Sequence, residues 1–290
     1  MSVNWSNPYA AREGGWLRGN LHAHTSPASG CGTLPVEEVL ARYAAAGLDF
    51  LAVSDHMTVT TPAEAPLTLL PGVEWNAPEG FHTGVYALDP AALAPACAMT
   101  DQAALLAHYA GPATLTVLNH PNWTLRPHYH REELLAAEGY DGVEVYNALI
   151  RRLDGHELAV EKWDWLLAQG RRVLAFASDD SHNADDIGQA WLCVRAANTP
   201  AAVFHALKTG NFYASSGVEL QDIRREGARL TVESADGQEV QVHGPGGVQL
   251  ARVPDHSLTF DLADAPFARL TVFGRGSAMA WTQVFYAGEG

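Results

Sequence analysis

Two histidines separated by one residue, His22 and His24, follow a short apolar run that begins at Trp16. If this run is a β-strand, its side chains alternate with a period of two, so both imidazole rings point to the same face. Neutral imidazole is a good ligand for Zn, Mn or Fe, but two rings hold a catalytic ion only when carboxylates and further histidines converge on it. The pair alone is therefore weak evidence of a metal site.

Other side chains with acid, base or ligand chemistry follow apolar runs in the same way. The runs are 48–53, 68–73, 114–118, 142–145 and 172–177. The polar residues that follow them are Asp55, His56, Glu74, His120, Asn147, Asp179, Asp180 and His182. In a closed α/β barrel the carboxyl ends of all strands gather on one face, where active sites are built. An open doubly wound sheet has its site at one switch point and does not need side chains from so many strand ends.

The segments between these runs have the apolar spacing of helices. They are 101–109, 131–137, 156–168 and 199–209. An earlier helix is also predicted, which Thr33 is expected to cap and in which Pro35 occupies the first turn. Strand followed by helix, several times over, predicts a parallel sheet, and the clustering of ligand-type residues favours an α/β barrel.

The character of the chain changes after Ser215. Residues 217–290 contain no helical stripe, but four segments alternate as half-buried strands, and glycine-rich stretches at 244–247 and 274–276 supply turns. We predict two domains, a barrel over residues 1–216 and a small antiparallel β module over residues 217–290. The module is expected to supply no metal ligand, because His243 and His256 lack partner carboxylates at ligand spacing.

Composition limits the function. The 290 residues are 47% apolar and 18% charged, and 18 Lys and Arg against 33 Asp and Glu give a formal net charge of -15. This charge disfavours nucleic acid or an anionic membrane as the partner, so we expect a small-molecule substrate. Three cysteines without CxxC spacing indicate neither a disulfide framework nor a thiolate zinc site. With no apolar signal region we expect a cytoplasmic protein, and the sequence leaves the oligomeric state open.

The motifs GNLHAHT, GLDFLAVSDH, PGVE, NHP, FASDDSHN and ALKTGNFYASSG, in this order, resemble the PHP superfamily of metal-dependent phosphoesterases. Within it the sequence is most similar to the branch of carbaryl-type esterases, the CehA/McbA-like metallohydrolases. The resemblance covers residues 16–218. It implies a distorted (β/α)7-type barrel and two divalent ions (Zn, Mn or Fe), with a third in some members.

The resemblance also assigns roles. It implies that His22, His24 and Asp180 hold a first metal, that Glu74 bridges the first and second, that His82 and His120 complete the second, and that His56 and His182 belong to a third. Asp180 and His182 are two residues apart and hence on one face, which leaves Asp179 to orient an imidazole. The loop 26–32, which follows His24, contains no carboxylate or imidazole, so we expect a third ion only at high metal concentration unless Cys31 is a ligand.

Two ions of this kind lower the pKa of a bridging water, so that a metal-bridged hydroxide is available at neutral pH for attack on an ester. We assign Asp55, Glu74 and Asp180 as catalytic. Asp55 either passes a proton to the leaving group or orients its neighbour, and we favour the second. A phosphate also favours nearby guanidinium groups, so the predicted substrate-binding residues are Arg126, Arg151 and Asn147, with Trp123 lining the pocket.

The function predicted from these residues is hydrolysis of a small phosphomonoester or phosphodiester. A carboxyl or carbamate ester hydrolase with the same site is the alternative, since the same nucleophile attacks either centre. A non-catalytic metal-binding module is a further alternative. It is disfavoured because a purely structural metal site is closed by its ligands.

Overall fold

The computed structural model describes residues 2–124, 129–262 and 265–288. Within these residues the chain forms five short α-helices: α1 (Val36–Ala45), α2 (Gln102–Tyr109), α3 (Arg131–Ala136), α4 (Val160–Ala168) and α5 (Pro200–Thr209). Each lies inside a segment for which the apolar spacing predicts a helix. In the described ranges, no helix combines the length and the apolar character that crossing a bilayer requires.

Local signals explain where the helices begin and end. Thr199 caps α5 by accepting a hydrogen bond from the amide of Ala202, and Gly210 ends the helix with a φ of 80°. The expected cap of α1 is wrong. Pro35 precedes α1 without a side-chain cap, and the Thr33 hydroxyl instead donates to the carbonyl of His182 at 2.9 Å. Thr33 therefore holds a loop against the segment that contains His182.

In the described residues before 216 the chain forms nine strands: β1 (Gly15–Asn20), β2 (Phe50–Val53), β3 (Thr68–Asn76), β4 (His82–Ala87), β5 (Thr114–Leu118), β6 (Gly142–Asn147), β7 (Leu174–Ser178), β8 (Trp191–Ala196) and β9 (Phe212–Ser215). The apolar runs predict six of them. Sequence reasoning missed β4, β8 and β9, and each of these pairs antiparallel with its neighbours.

The strands form a mixed sheet in the order β9-β8-β1-β2-β3-β4-β5-β6-β7. Only the pairs β1–β2, β2–β3, β5–β6 and β6–β7 are parallel. The expectation of a wholly parallel sheet is corrected here. The connection from β3 to β4 spans only residues 77–81, whereas parallel neighbours need a crossover of about a dozen residues or more. The fold is therefore mixed α/β, and in the described residues the strand path has two ends and does not close on itself.

The part of the C-terminal region that the structure describes forms eight further strands: β10 (Leu220–Glu226), β11 (Arg229–Ser234), β12 (Glu239–His243), β13 (Gln249–Val253), β14 (Ser257–Asp261), β15 (Phe267–Phe273), β16 (Met279–Trp281) and β17 (Phe285–Tyr286). Their pairings with one another are antiparallel. Strand β16 also pairs with β9, so β16, β15, β12 and β13 extend the main sheet, while β10, β11 and β14 form a second sheet.

The C-terminal strands pack closely against the N-terminal part. The side chain of Gln283 accepts from the amide of Ala175 and donates to its carbonyl, both at 2.9 Å, and so covers the edge of β7. Arg269 of β15 makes two 2.6 Å hydrogen bonds to the carboxylate of Asp164 in α4. Trp281 belongs to the largest apolar cluster, which also contains residues of α4 and β7. These contacts hold β7 and α4 against the C-terminal strands.

Candidate metal centre

The side chains predicted as metal ligands converge at the edge of the sheet where β1, β2, β3, β5 and β7 end. His82 arrives from the opposite direction, since it begins the antiparallel β4 and pairs with Asn76. An isolated parallel bridge between Ala23 and Ser181 joins the chain after β1 to the chain after β7, and the amide of His24 donates to the Ser181 carbonyl at 2.9 Å. This bridge places the His-x-His segment beside the Asp-x-His segment.

Glu74 lies at the centre of the cluster and is 1% exposed. Its two oxygens face different histidines. Oε1 lies 3.1 to 3.3 Å from ring nitrogens of His22, His82 and His120. Oε2 lies 2.9 Å from Nδ1 of His56 and 3.4 Å from Nε2 of His24. A carboxylate between two sets of imidazoles has the position that a metal-bridging ligand requires.

Asp180 completes one side of the cluster. Its Oδ1 lies 3.1 Å from Nε2 of His22 and 3.2 Å from Nε2 of His24. Asp180 has a φ of 53° and His120 a φ of 31°, which are rare backbone values for residues other than glycine. Strained conformations of this kind concentrate at functional sites, where the surrounding structure maintains them.

The ligand atoms fall into groups whose members lie within 4.8 Å of one another: His22, His24 and Asp180; His22, Glu74 and His120; His56, Glu74 and His82; and His24, Cys31, His56 and His182. The first group matches the predicted ligands of the first metal. The side chains predicted for the second metal fall into two groups, since His82 groups with His56 and His120 with His22. Their shared role at a second metal stays a prediction. Both rings nevertheless face the same oxygen of Glu74.

Three buried atoms test whether metal ions fit this cluster. Nε2 of His22, Nε2 of His24 and Oδ1 of Asp180 have no hydrogen-bond partner among the described residues. A buried polar atom without a partner costs free energy, so such atoms usually mark an ion, a water or a ligand. Imidazole nitrogens and carboxylate oxygens are the donors that Zn, Mn and Fe accept. The donor set therefore fits divalent metal ions.

Glu144 is a site residue that sequence reasoning missed. It lies within β6 and is 3% exposed, and its Oε1 lies 2.9 Å from Nδ1 of His22. Its Oε2 accepts a 2.7 Å hydrogen bond from the amide of His120. A carboxylate on the far ring nitrogen orients an imidazole ligand and increases its basicity. The signal was available, since a glutamate inside an otherwise apolar strand needs a buried partner.

Asp55 does not occupy a proton-transfer position. It is buried, and its oxygens accept hydrogen bonds from the amide and hydroxyl of Thr25 at 2.6 Å each and from the hydroxyl of Ser29 at 2.8 Å. The hydroxyl of Thr60 is a further donor. The catalytic assignment is corrected to a structural one, because both oxygens are engaged in fixing the loop after His24.

Asn147 and Asp179 also differ from their predicted roles. Asn147 is 1% exposed and donates to Glu144 at 2.9 Å and to Asp180 at 3.1 Å, so it positions carboxylates and is not directed to a substrate. Asp179 accepts from three backbone amides of residues 188–190 at 2.6 to 2.7 Å and orients no imidazole. Burial raises the pKa of Asp179 to about 7 despite these bonds.

The predicted arginines do not reach the cluster where the structure describes them. Arg151 donates to the side chain of Gln189 at 2.9 Å, and the neighbouring Arg152 forms a two-pronged pair with Asp186 at 2.8 and 3.0 Å. Arg126 lies outside the described residues. The structure thus places the Arg151 guanidinium outside the ligand cluster, where it contacts Gln189, and does not direct it toward a phosphate bound at the cluster.

A cavity of about 240 Å³ opens above the cluster. Its floor contains ligand-type side chains, and its walls are Trp123, Leu149, Ile150 and Leu153. Trp123 contacts the rings of His82 and His120 edge-on, with centroids 5.6 and 5.3 Å apart. Among the described residues, no lysine or arginine lines this cavity. The space above the cluster therefore combines the apolar walls and the few convergent polar groups that are typical of small-molecule sites.

The electrostatics keep the two carboxylates of the cluster in the form that binds metal. Burial would raise the pKa of Glu74, but His22, His82 and His56 hold it well below its usual value. Burial would also raise the pKa of Asp180, but His22, His24 and His182 together hold it well below its usual value. Burial lowers the pKa of His24 to about 4. At neutral pH the carboxylates are charged and His24 is neutral. Asp180, Glu74 and Glu144 outweigh burial and raise the pKa of His22 well above its usual value, so a metal bound to this ring would displace its proton.

Neither a protein-family model nor a curated protein matches this sequence. Solved structures do match in fold. One is a two-domain protein from Bacteroides vulgatus that contains a predicted PHP-like metal-dependent phosphoesterase; the match covers 98% of this chain and 89% of that one, with a TM-score of 0.54 and 14% identity. The two proteins therefore share a fold.

A second match in fold is the lesion-specific endonuclease PfuEndoQ from Pyrococcus furiosus. It covers 67% of this chain and 56% of the endonuclease, with a TM-score of 0.50 and 12% identity. At identities this low the matches show a shared fold and leave the substrate open. Because one neighbour is an endonuclease, the fold does not separate the predicted small-molecule substrate from a nucleic acid.

Proposed function

We propose that this protein is a metal-dependent hydrolase that uses two divalent ions, zinc, manganese or iron, to cleave a small-molecule ester. The observation that carries the proposal is the position of Glu74, whose two oxygens face separate sets of histidines at the floor of a cavity. The names of the fold neighbours, a PHP-like metal-dependent phosphoesterase and an endonuclease, are consistent with a hydrolase.

The proposed ligands of the two ions are His22, His24, Glu74, His82, His120 and Asp180. All of them precede residue 216, and we propose that residues 1–216 carry the site while residues 217–290 form a supporting β-rich module. The hydrogen bonds from Gln283 to β7 support this role, because β7 leads directly into Asp180.

Divalent ions supply a nucleophile from water at neutral pH and neutralise the charge that develops on an ester in the transition state. The residues of this chain orient and shield that chemistry. Glu144 fixes the ring of His22 and the backbone of His120, and Asn147 fixes Asp180. Trp123 and the neighbouring aliphatic side chains form an apolar wall that excludes water from one side of the substrate.

A phosphomonoester or phosphodiester is our first substrate class. The ordered motifs that resemble the PHP superfamily support it, as does the shared fold with the Bacteroides vulgatus protein that contains a predicted PHP-like metal-dependent phosphoesterase. We also propose, on the motif resemblance alone, that the chain is related to the CehA/McbA-like branch. Arg126 is the remaining candidate for a guanidinium group near the phosphate, since it follows Trp123 by three positions.

A carboxyl or carbamate ester is the second candidate, and the cavity wall favours it. Leu149, Ile150 and Leu153 offer apolar contacts to an uncharged ester, and Arg151 is directed to Gln189. An anionic phosphate would lack a described basic partner in this cavity, whereas an aryl ester would bury its ring against Trp123.

An assay of metal-loaded protein against an aryl phosphate, a phosphodiester, an aryl carboxylate, an aryl carbamate and a single-stranded oligonucleotide tests the proposal. Turnover of an ester that disappears on chelation and returns with added metal is the expected result. Turnover confined to the oligonucleotide would replace the small-molecule substrate. Tight metal binding without turnover of any of these substrates would instead support the non-catalytic module.

A further inference from the structure

A second ligand group lies beside the proposed two-ion site, on the side of the loop that follows His24. Ligand atoms of His24, Cys31, His56 and His182 lie within 4.8 Å of one another. The rings of His56 and His182 flank the ring of His24 at centroid distances of 4.4 and 4.5 Å. Cys31, His56 and His182 all line the cavity. Four donors at this spacing match the size of a metal site, and three of them face open space.

We propose that Cys31 is a thiolate ligand of a third, zinc-selective ion, which it holds together with His56 and His182. The inference rests on the metal centre of the proposed function and extends it. His24 belongs to the first ion, because its Nε2 lies 3.2 Å from Asp180 and 3.4 Å from Glu74. Three protein ligands would leave a fourth position for water or substrate, as in catalytic zinc sites.

The loop that carries Cys31 is fixed on both sides of the thiol. On one side the Ser29 hydroxyl, 1% exposed as a residue, donates to Asp55 at 2.8 Å and accepts from the amide of His56 at 3.0 Å. On the other side the amide and hydroxyl of Thr33 both donate to the His182 carbonyl at 2.9 Å. The loop is thus bonded directly to both histidines of the proposed site, so the thiol needs no reorganisation to reach an ion.

Gly32, the residue after Cys31, supports the same geometry. A Cβ at this position would lie 2.8 Å from the backbone of Thr25. Only glycine allows the loop to pack this closely, and a larger residue would move the thiol away from the two rings. The close approach therefore sets the position of Cys31.

The two imidazoles are oriented for the same ion. Nδ1 of His182 lies 2.8 Å from the carbonyl of Asp180 and is its hydrogen-bond donor, which leaves Nε2 with the lone pair. Nδ1 of His56 lies 2.9 Å from Oδ1 of Asn76, so its Nε2 is the nitrogen left for the thiol side.

A soft thiolate with two imidazoles selects zinc over manganese, which prefers oxygen ligands. The carboxylate-rich pair of sites around Glu74 lacks this preference. The third position therefore differs in metal selectivity from its neighbours within one cavity.

The test is metal stoichiometry and cobalt spectroscopy on the full-length protein. Apo protein is loaded with Zn²⁺ or Co²⁺, freed of excess metal and examined by elemental analysis and absorption. The wild type should hold three zinc ions and show thiolate-to-cobalt charge transfer. Cys31→Ser should hold two ions and lose that absorption. Cys31→Asp should keep three ions but show no thiolate-to-cobalt absorption. The control Cys97→Ser changes a cysteine in a separate apolar cluster and should match the wild type in both measurements.

Two results overturn the inference: a wild type that holds two ions without thiolate absorption, or a Cys31→Ser variant that keeps three ions. Either result, with ester turnover intact, leaves the proposed hydrolase standing. A wild type that binds no divalent ion overturns both. Because every variant is read by metal content and absorption, a change in turnover alone does not decide the outcome.

Discussion

Glu144 and His22 form a buried pair in which carboxylate Oε1 lies 2.9 Å from ring Nδ1. Nε2 of the same ring points toward Glu74 and Asp180, each 3.1 Å away. Glu144, which lies in β6, thus fixes the orientation of the His22 ring relative to Glu74 and Asp180. Since Glu144 also accepts the amide of His120, one carboxylate positions two of the proposed ligands.

We predict that Glu144→Gln weakens metal binding by about 10- to 100-fold, the usual effect of removing a partner that orients a metal ligand. The amide keeps the shape of the carboxylate but not its charge, so the fold should persist. Competition with a chelating dye measures the affinity. Glu219→Gln, at an exposed position in the C-terminal part, is the matched control. Equal affinities in the two variants would show that Glu144 has no part in the centre.

Glu74→Gln should lose both turnover and most of its bound metal, because an amide cannot hold two ions as a bridging carboxylate does. Elemental analysis and an ester assay measure the two effects separately. His205→Ala is the control, since His205 lies on α5 away from the cluster. Normal metal content and turnover in Glu74→Gln would contradict the two-ion mechanism.

The location of the site follows from sequence because parallel strands end at one edge of a sheet. Apolar runs before His22, His120 and Asp180 predicted strands that the structure contains as β1, β5 and β7. Glu74 is placed near the end of β3 for the same reason. These residues are the part of the cluster whose position depends only on local strand patterns.

The rest depends on contacts between distant segments. His82 begins an antiparallel strand, so no apolar run precedes it, and only the family resemblance singled it out. Asp55 is adjacent to His56 in sequence, but its donors come from Thr25, Ser29 and Thr60. Side-chain direction at the end of a strand is set by such tertiary hydrogen bonds, which periodicity does not encode.

Arg151→Ala should leave ester turnover nearly unchanged, because its guanidinium donates to Gln189 and the carbonyl of Ala148 outside the cavity. The measurement is kcat/KM for an aryl phosphate and an aryl carboxylate. Arg126→Gln, assayed in parallel, tests the other predicted arginine. A fall of about tenfold in Arg151→Ala, about 1.4 kcal/mol of transition-state stabilisation, would contradict this position outside the cavity.

The last prediction concerns the ion pair between Asp164 and Arg269, which joins α4 to β15. Both hydrogen bonds are 2.6 Å long, and the side chain of Arg269 is 2% exposed. Removing one partner leaves the other charge buried and unpaired, which typically costs about 3–5 kcal/mol. Asp164→Ala should therefore lower the free energy of unfolding by about this amount in urea denaturation.

Two further variants separate the charge from the packing. Arg252→Ala removes an exposed partner of Glu239 and should change stability little, because solvent screens that pair. The double variant Asp164→Leu with Arg269→Met replaces both charges with apolar groups of similar volume and should recover most of the stability that Asp164→Ala loses. A double variant as unstable as Asp164→Ala would show that the hydrogen bonds to Asp164, rather than an unpaired charge, determine how firmly β15 is held against α4.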